Sequence, residues 1–211
     1  MGIEGTVRER LVDAGVELVL SEGSGSVGLR EIARRAGVSH GAPRRYFPTH
    51  RALLSAIARR GFEELGARSA TAAATAATPR EELAALARLY VAYALERRGM
   101  FELMFRHDLL DSGEQHGAAD GPRLREATLP MFERVVELVA RCRGEATEPS
   151  AAVTAAALWA NLHGIAQLWS WRSLQLALGD SPAGPASTDA PDAPDRLVEA
   201  ALDAHLGSAT A

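Results

Sequence analysis

The 211-residue chain contains no lysine, so neither Schiff-base chemistry nor a P-loop can be built from it. Its one cysteine, Cys142, excludes an internal disulfide and suits a reducing compartment. The two flanking arginines could lower the pKa of this thiol, but with no second cysteine or fixed base in view it reads as a surface thiol. No apolar run reaches membrane-spanning length and the N-terminus has no signal-peptide layout, so a soluble cytoplasmic protein is expected. Catalytic patterns are missing as well: there is no nucleophile elbow and no triad spacing. His107, Asp108 and Asp111 lack a further ligand at metal spacing, and His107 and Asp111 read as an exposed i, i+4 pair. The chain is therefore expected to be no enzyme, with no cofactor and no metal.

Acidic residues outnumber basic ones, giving a net charge of −4, which by itself argues against a nucleic-acid partner. The distribution argues otherwise. Residues 1–60 hold ten Arg and six acidic residues, net +4, and residues 61–211 hold thirteen and twenty-one, net −8. A basic N-terminal unit on an acidic body fits DNA contact at one end.

That basic end contains LREIARRAGVSHGAPRRYFP, residues 29–48. Leu29, Ile32, Ala33 and Ala36 form one apolar stripe of a short helix, and Gly37 ends it. Val38 plugs the turn, Ser39 is the expected N-cap of a second helix, and Pro43 lies near its start. Helix, tight turn and basic helix make a helix-turn-helix, which lays its second helix in the major groove. Arg44 and Arg45 would carry the contact, since the guanidinium fork matches guanine O6/N7 or phosphate oxygens. His40 and Tyr46 flank them, and Gly41 and Ala42 permit close approach to the groove.

The wording RxxIAxxAGVS, followed by Phe47-Pro48, a polar residue and an apolar helix, resembles the TetR family of bacterial transcriptional repressors. The resemblance is strong over about residues 6–62 and weaker beyond. It implies an all-α homodimer, with three N-terminal helices on double-stranded operator DNA and C-terminal helices holding a small-molecule effector. Carried onto this chain, the implied DNA-binding residues are Arg30, Ser39, His40, Gly41, Ala42, Arg44, Arg45, Tyr46 and His50. Four positions depart from the family pattern. Gly28 stands for the usual Thr or Ser cap, Arg44 for a phosphate-binding Tyr, His50 for a phosphate-binding Lys, and Pro43 for a common Leu. His50 would be charged only if its pKa were raised near DNA.

In chain order, residues 6–22 read as a first helix, with Val7, Leu11, Ala14, Leu18 and Val19 on one stripe. Gly23, Gly25 and Gly28 match GxGxxG formally, but they follow a helix and not a strand, so they read as a turn. A fourth helix is expected from a Thr49 N-cap to about Leu65, ended by an alanine-threonine connector over 69–78. Others follow over 79–98, across the Phe101–Leu109 stripe, and over 122–142, where Pro130 should bend the helix. Residues 149–178 read as the longest helix and 195–206 as the last; loops occupy 111–121 and 179–195. The 149–178 segment is apolar on several faces, so part of it should face a second subunit.

A second constellation is LWANLHGIAQLW, in which Trp159 and His163 lie at i and i+4 and Gly164 permits close helix approach. It resembles the C-terminal domain of a TetR subgroup marked by a Trp-His-Gly pattern. An effector pocket lined by Tyr90, Tyr93, Phe101, Met104, Phe105, Trp159 and His163 is one reading, and a packed core with an internally bonded His163 is the other.

The expected architecture is an N-terminal three-helix helix-turn-helix DNA-binding domain over 1–48 and a helical ligand-binding and dimerisation domain over 49–211. The expected function is a DNA-binding regulator, a repressor released by a small apolar or amphipathic effector. The alternative is a helical small-molecule-binding protein whose DNA unit is vestigial.

Overall fold

A computed structural model describes residues 6–106, 109, 124–144, 148–179 and 193–208. Every regular element among them is helical. The helices are α1 (Val7–Glu22), α2 (Leu29–Arg35), α3 (Ala42–Tyr46), α4 (His50–Ala73) and α5 (Pro79–Glu96). They continue with α6 (Arg98–Met104), α7 (Leu124–Arg143), α8 (Ala151–Ser170), α9 (Ser173–Ala177) and α10 (Ala193–Leu206).

The chain packs as two compact units, residues 1–64 with 97–129 and residues 65–96 with 130–211. The boundary drawn at 48 from sequence lies inside the first unit. Helix α4 contributes residues 50–64 to the first unit and 65–73 to the second.

In the first unit, α1 starts cleanly because Thr6 and Glu9 close a capping box. The Thr6 backbone N–H donates to Glu9 Oε2 at 2.7 Å, and the Glu9 N–H donates to Thr6 Oγ1 at 3.3 Å. Leu11, Leu18 and Val19 then bury a stripe beneath α2 and α6, while Ile32 and Ala33 of α2 and Leu53 and Ile57 of α4 are fully buried. Gly15 lets Ile57 sit against α1, since a Cβ there would fall 2.3 Å from the Ile57 side chain.

The second unit is a layer of α5 and α10 against α8, closed by α7. Leu83, Ala87, Leu138, Leu158, Leu162, Val198 and Leu202 form its core. Arg134 clasps Glu82 through Nε and Nη2 at 2.7–2.9 Å, and Arg80 donates to Asp203 and to the Gly207 carbonyl at the end of α10.

Three helix boundaries differ from those expected. Ser39 does not cap α3, which begins at Ala42 behind Gly41 with no side-chain cap. Starting at a Ser39 cap would place Pro43 where its N–H should return to the Ser39 carbonyl, and proline has none. The Ala42 N–H takes that carbonyl instead, at 2.9 Å. Helix α4 opens where expected, the Ala52 N–H donating to Thr49 Oγ1 at 3.1 Å, but runs on to Ala73. Alanine is the best helix former and outweighs the threonines between. The 149–178 segment is two helices, because Arg172 takes a left-handed φ of 64° and ends the run after Ser170.

Candidate functional site

The basic face of the first unit is sorted by its carboxylates. Arg34 donates to Glu31 through Nε at 2.8 Å, and Arg35 is paired with both Glu22 and Glu31. The Arg34 hydrogen bond, which comes first, holds the Glu31 carboxyl down at about 2, so these α2 charges are neutralised within the fold. Arg8 stacks over the Phe47 ring at 5.0 Å. Arg30, Arg44 and Arg45 are exposed and make no hydrogen bond or ion pair with any described residue. His40, Gly41 and Tyr46 are also exposed, Tyr46 at 42%, whereas Ala42 and Pro43 face inward and seat α3. Ser39 lies in the preceding turn and supplies its carbonyl.

His50 has a partner within the fold. Its Nε2 lies 2.6 Å from the Val27 carbonyl oxygen and donates to it. The ring thus ties the first turn of α4 to the residue preceding the Gly28 cap of α2.

In the second unit Tyr90 is the hub of a short hydrogen-bond chain. Trp159 Nε1 donates to Tyr90 Oη at 3.0 Å, and Tyr90 Oη lies 2.9 Å from His163 Nδ1. Burial holds the Tyr90 phenol well above its ordinary range and pushes His163 below its ordinary 6.5. Tyr90 Oη thus accepts from the indole and shares its second hydrogen bond with the imidazole. The Trp159 ring also lies 6.2 Å from Phe132 and 6.3 Å from His163. Tyr93 is fully buried, with the Arg68 guanidinium over its ring at 5.5 Å.

Phe101, Met104 and Phe105 belong to the first unit and pack there. Phe105 meets Phe62 edge-on at 5.6 Å and Phe101 at 4.7 Å, and Met100 and Met104 fill the space beside Gly61. The seven residues grouped from sequence are thus divided four and three between the units. Sequence reading had no signal for Phe132 as the fourth ring, because it lies on another helix and shares no spacing with Trp159. The Cys142 thiol is half-buried and not activated by its flanking arginines. Burial raises its pKa, outweighing the opposing charges of Arg80 and Arg141. His107, Asp108 and Asp111 lie outside the described residues.

The half-buried His163, held toward its neutral form, makes stability depend on pH. Its folded pKa is below its unfolded value, so its contribution is fully present above about 6.5 and is lost as pH falls through the depressed folded value. Urea melts between pH 7.5 and 5 should show this loss, and H163Q should flatten it. An equal slope in both proteins would place the acid sensitivity elsewhere.

Known proteins resemble this chain along most of its length. Residues 11–57 match the family described as bacterial regulatory proteins, tetR family, and residues 83–205 match the tetracyclin repressor-like C-terminal domain. The HTH-type transcriptional regulator BetI of Rhizobium meliloti (strain 1021) is 38% identical over 89 residues, 42% of this chain. The match spans 44% of that regulator, less than half its length. A Rhodococcus sp. RHA1 protein of unknown function is similar in structure, with 30% identity, 96% of this chain and 95% of that one covered, and a TM-score of 0.67. The multidrug binding protein EbrR, solved with imidazole, is 25% identical, covered over 96% of both chains, with a TM-score of 0.52.

Proposed function

Because the chain belongs to the TetR family of bacterial regulatory proteins, a family of regulators and not of enzymes, we propose that it is a homodimeric repressor of transcription. Its α3 helix enters the major groove of double-stranded operator DNA, and a small apolar or amphipathic effector releases it. The carrying observation is the sorting of charge in the first unit. Carboxylates neutralise Arg34 and Arg35, while Arg30, Arg44 and Arg45 are left to a partner outside the chain. Uncompensated guanidinium groups on a helix-turn-helix have phosphate and guanine as their natural partners.

Two features support the rest of the reading. Helix α8 leaves Val153 and Leu168, about 60° apart around its axis, exposed at 57% and 39%, apolar surface that a second copy would cover. The Tyr90–Trp159–His163 chain places polar groups at the edge of an apolar core, which is what a drug-sized effector needs for orientation. The similar EbrR is a multidrug binding protein, in keeping with an effector of that kind. The effector signal is assigned to helix α4, which runs unbroken from His50 to Ala73. Release then needs only a change in the separation of two α3 helices, which must match grooves about 34–36 Å apart.

The test is binding of the purified protein to the DNA immediately upstream of its own gene, over a salt series and against competitor DNA. A specific complex with a steep salt slope is expected, because each phosphate neutralised releases a counterion. Small amphipathic compounds can then be screened for loss of the complex. Weak binding equal on every sequence would overturn the repressor reading and favour a ligand-binding protein.

A further inference from the structure

The family pattern places a phosphate-binding lysine where this chain has His50, and the His50 ring is engaged on the Val27 carbonyl. The next residue, Arg51, is exposed and makes no hydrogen bond or ion pair with any described residue. Nothing in the fold accounts for it there. It occupies the first turn of a 24-residue helix that has no acidic residue in that turn, the end at which the helix dipole disfavours a cation. No carboxylate is near in sequence either, since residues 32–62 hold seven arginines and not one Asp or Glu.

We propose that Arg51 is a DNA-backbone contact of this chain, taking the phosphate that His50 does not, while His50 serves to position it. The inference rests on the DNA-binding reading above and adds a residue to it. Reach decides what Arg51 can touch. Phe47, Pro48 and Thr49 alone separate α3 from α4, so four Cα–Cα steps link Tyr46 to His50 and span at most about 13–14 Å. The major groove is about 12 Å wide. With α3 in the groove, a turn tethered so closely stays within an arginine side chain's reach of the groove's rim, where the phosphates run. The hydrogen bond from His50 to Val27 fixes that turn against the start of α2, which carries the equally unpartnered Arg30. Arg51 therefore meets the sugar-phosphate backbone and not base edges, so its effect is independent of sequence.

The experiment measures binding of wild type, R51A and R51K to two duplexes, the DNA upstream of the gene and a 30-base-pair duplex of arbitrary sequence, from low to moderate salt. R51A should weaken binding to both duplexes alike, by roughly five- to tenfold at 0.1 M salt, and lower the log–log salt slope by about one per bound protomer. R51K keeps the charge and should restore the slope. Thermal melts should show R51A folded, with a midpoint unchanged or slightly raised, because a cation leaves the unfavourable helix end. An R51A slope equal to that of wild type overturns the proposal while leaving the regulator reading intact. A loss confined to the upstream duplex overturns the phosphate assignment. A wild type with no salt-dependent binding to either duplex overturns both.

Discussion

Replacing Arg44 and Arg45 together by alanine should abolish the specific DNA complex, with affinity for the upstream sequence falling by at least about 10³-fold, while the thermal midpoint stays within a degree or two. The expected size follows from what these arginines offer. A good bidentate guanidinium–guanine pair is worth about 1–3 kcal/mol and a phosphate contact roughly tenfold in affinity at moderate salt. A dimer presents both residues twice. The expected indifference of stability follows from their surroundings, since both side chains are exposed and neither has a partner among the described residues. The helix is held from its other side, by Ala42 and Pro43 facing inward and by Phe47 packed under Arg8. Electrophoretic retention and fluorescence anisotropy measure the first quantity, and calorimetry the second. A double variant that still holds the upstream DNA at 0.15 M salt would show that α3 is not the reading helix, and a large fall in midpoint would make the loss of binding one of folding.

The elements that carry this argument are legible because their signals are local. Thr6 and Glu9 announce the start of α1 three residues apart, and the stripe of Leu29, Ile32 and Ala33 sets the buried face of α2. The Gly37 turn, at φ 64°, ends the stripe where its glycine says it should. Where reading fails, the cause is a second signal of the same kind that weighs more. At Ser39 a good capping residue loses to Pro43, whose missing N–H moves the helix start to Ala42. At residues 69–73 alanine propensity outweighs interspersed threonine, so α4 is longer than its apolar pattern. At Arg172 nothing in the sequence marks the break, since the residue takes a conformation usually left to glycine or asparagine. The aromatic residues are legible in a different way. Tyr90, Trp159 and His163 meet because α5 packs on α8, whereas Phe101 and Phe105 share their composition and lie in the other unit. Composition identifies aromatic stripes, but only the packing of helices decides which of them face one another.

Gly99 is the position where propensity and packing disagree most, and packing should win. It lies inside α6, where exchanging glycine for alanine ordinarily stabilises a helix by about 1 kcal/mol. A Cβ at this position would fall 2.6 Å from the Val19 carbonyl oxygen and 3.0 Å from the Gly23 Cα. Both are backbone atoms of the last turn and cap of α1, and the same carbonyl already accepts the Gly23 N–H at 3.0 Å. Neither can move without opening that cap. G99A should therefore destabilise by about 2–3 kcal/mol net, the cost of forced backbone displacement in a packed interior, and lower the midpoint by about 5–10 °C in a chain of this length. G61A is the control that separates a clash from mere crowding. Its Cβ would come equally near, 2.6–2.9 Å, but to Met100 and Met104 side chains, whose thioethers can swing aside. The expected order is a large loss at Gly99 and a small change at Gly61. If G99A instead melts at or above wild type, α6 does not approach α1 through its backbone, and the seam between them is looser than Leu18, Val19 and Leu103, all buried there, require.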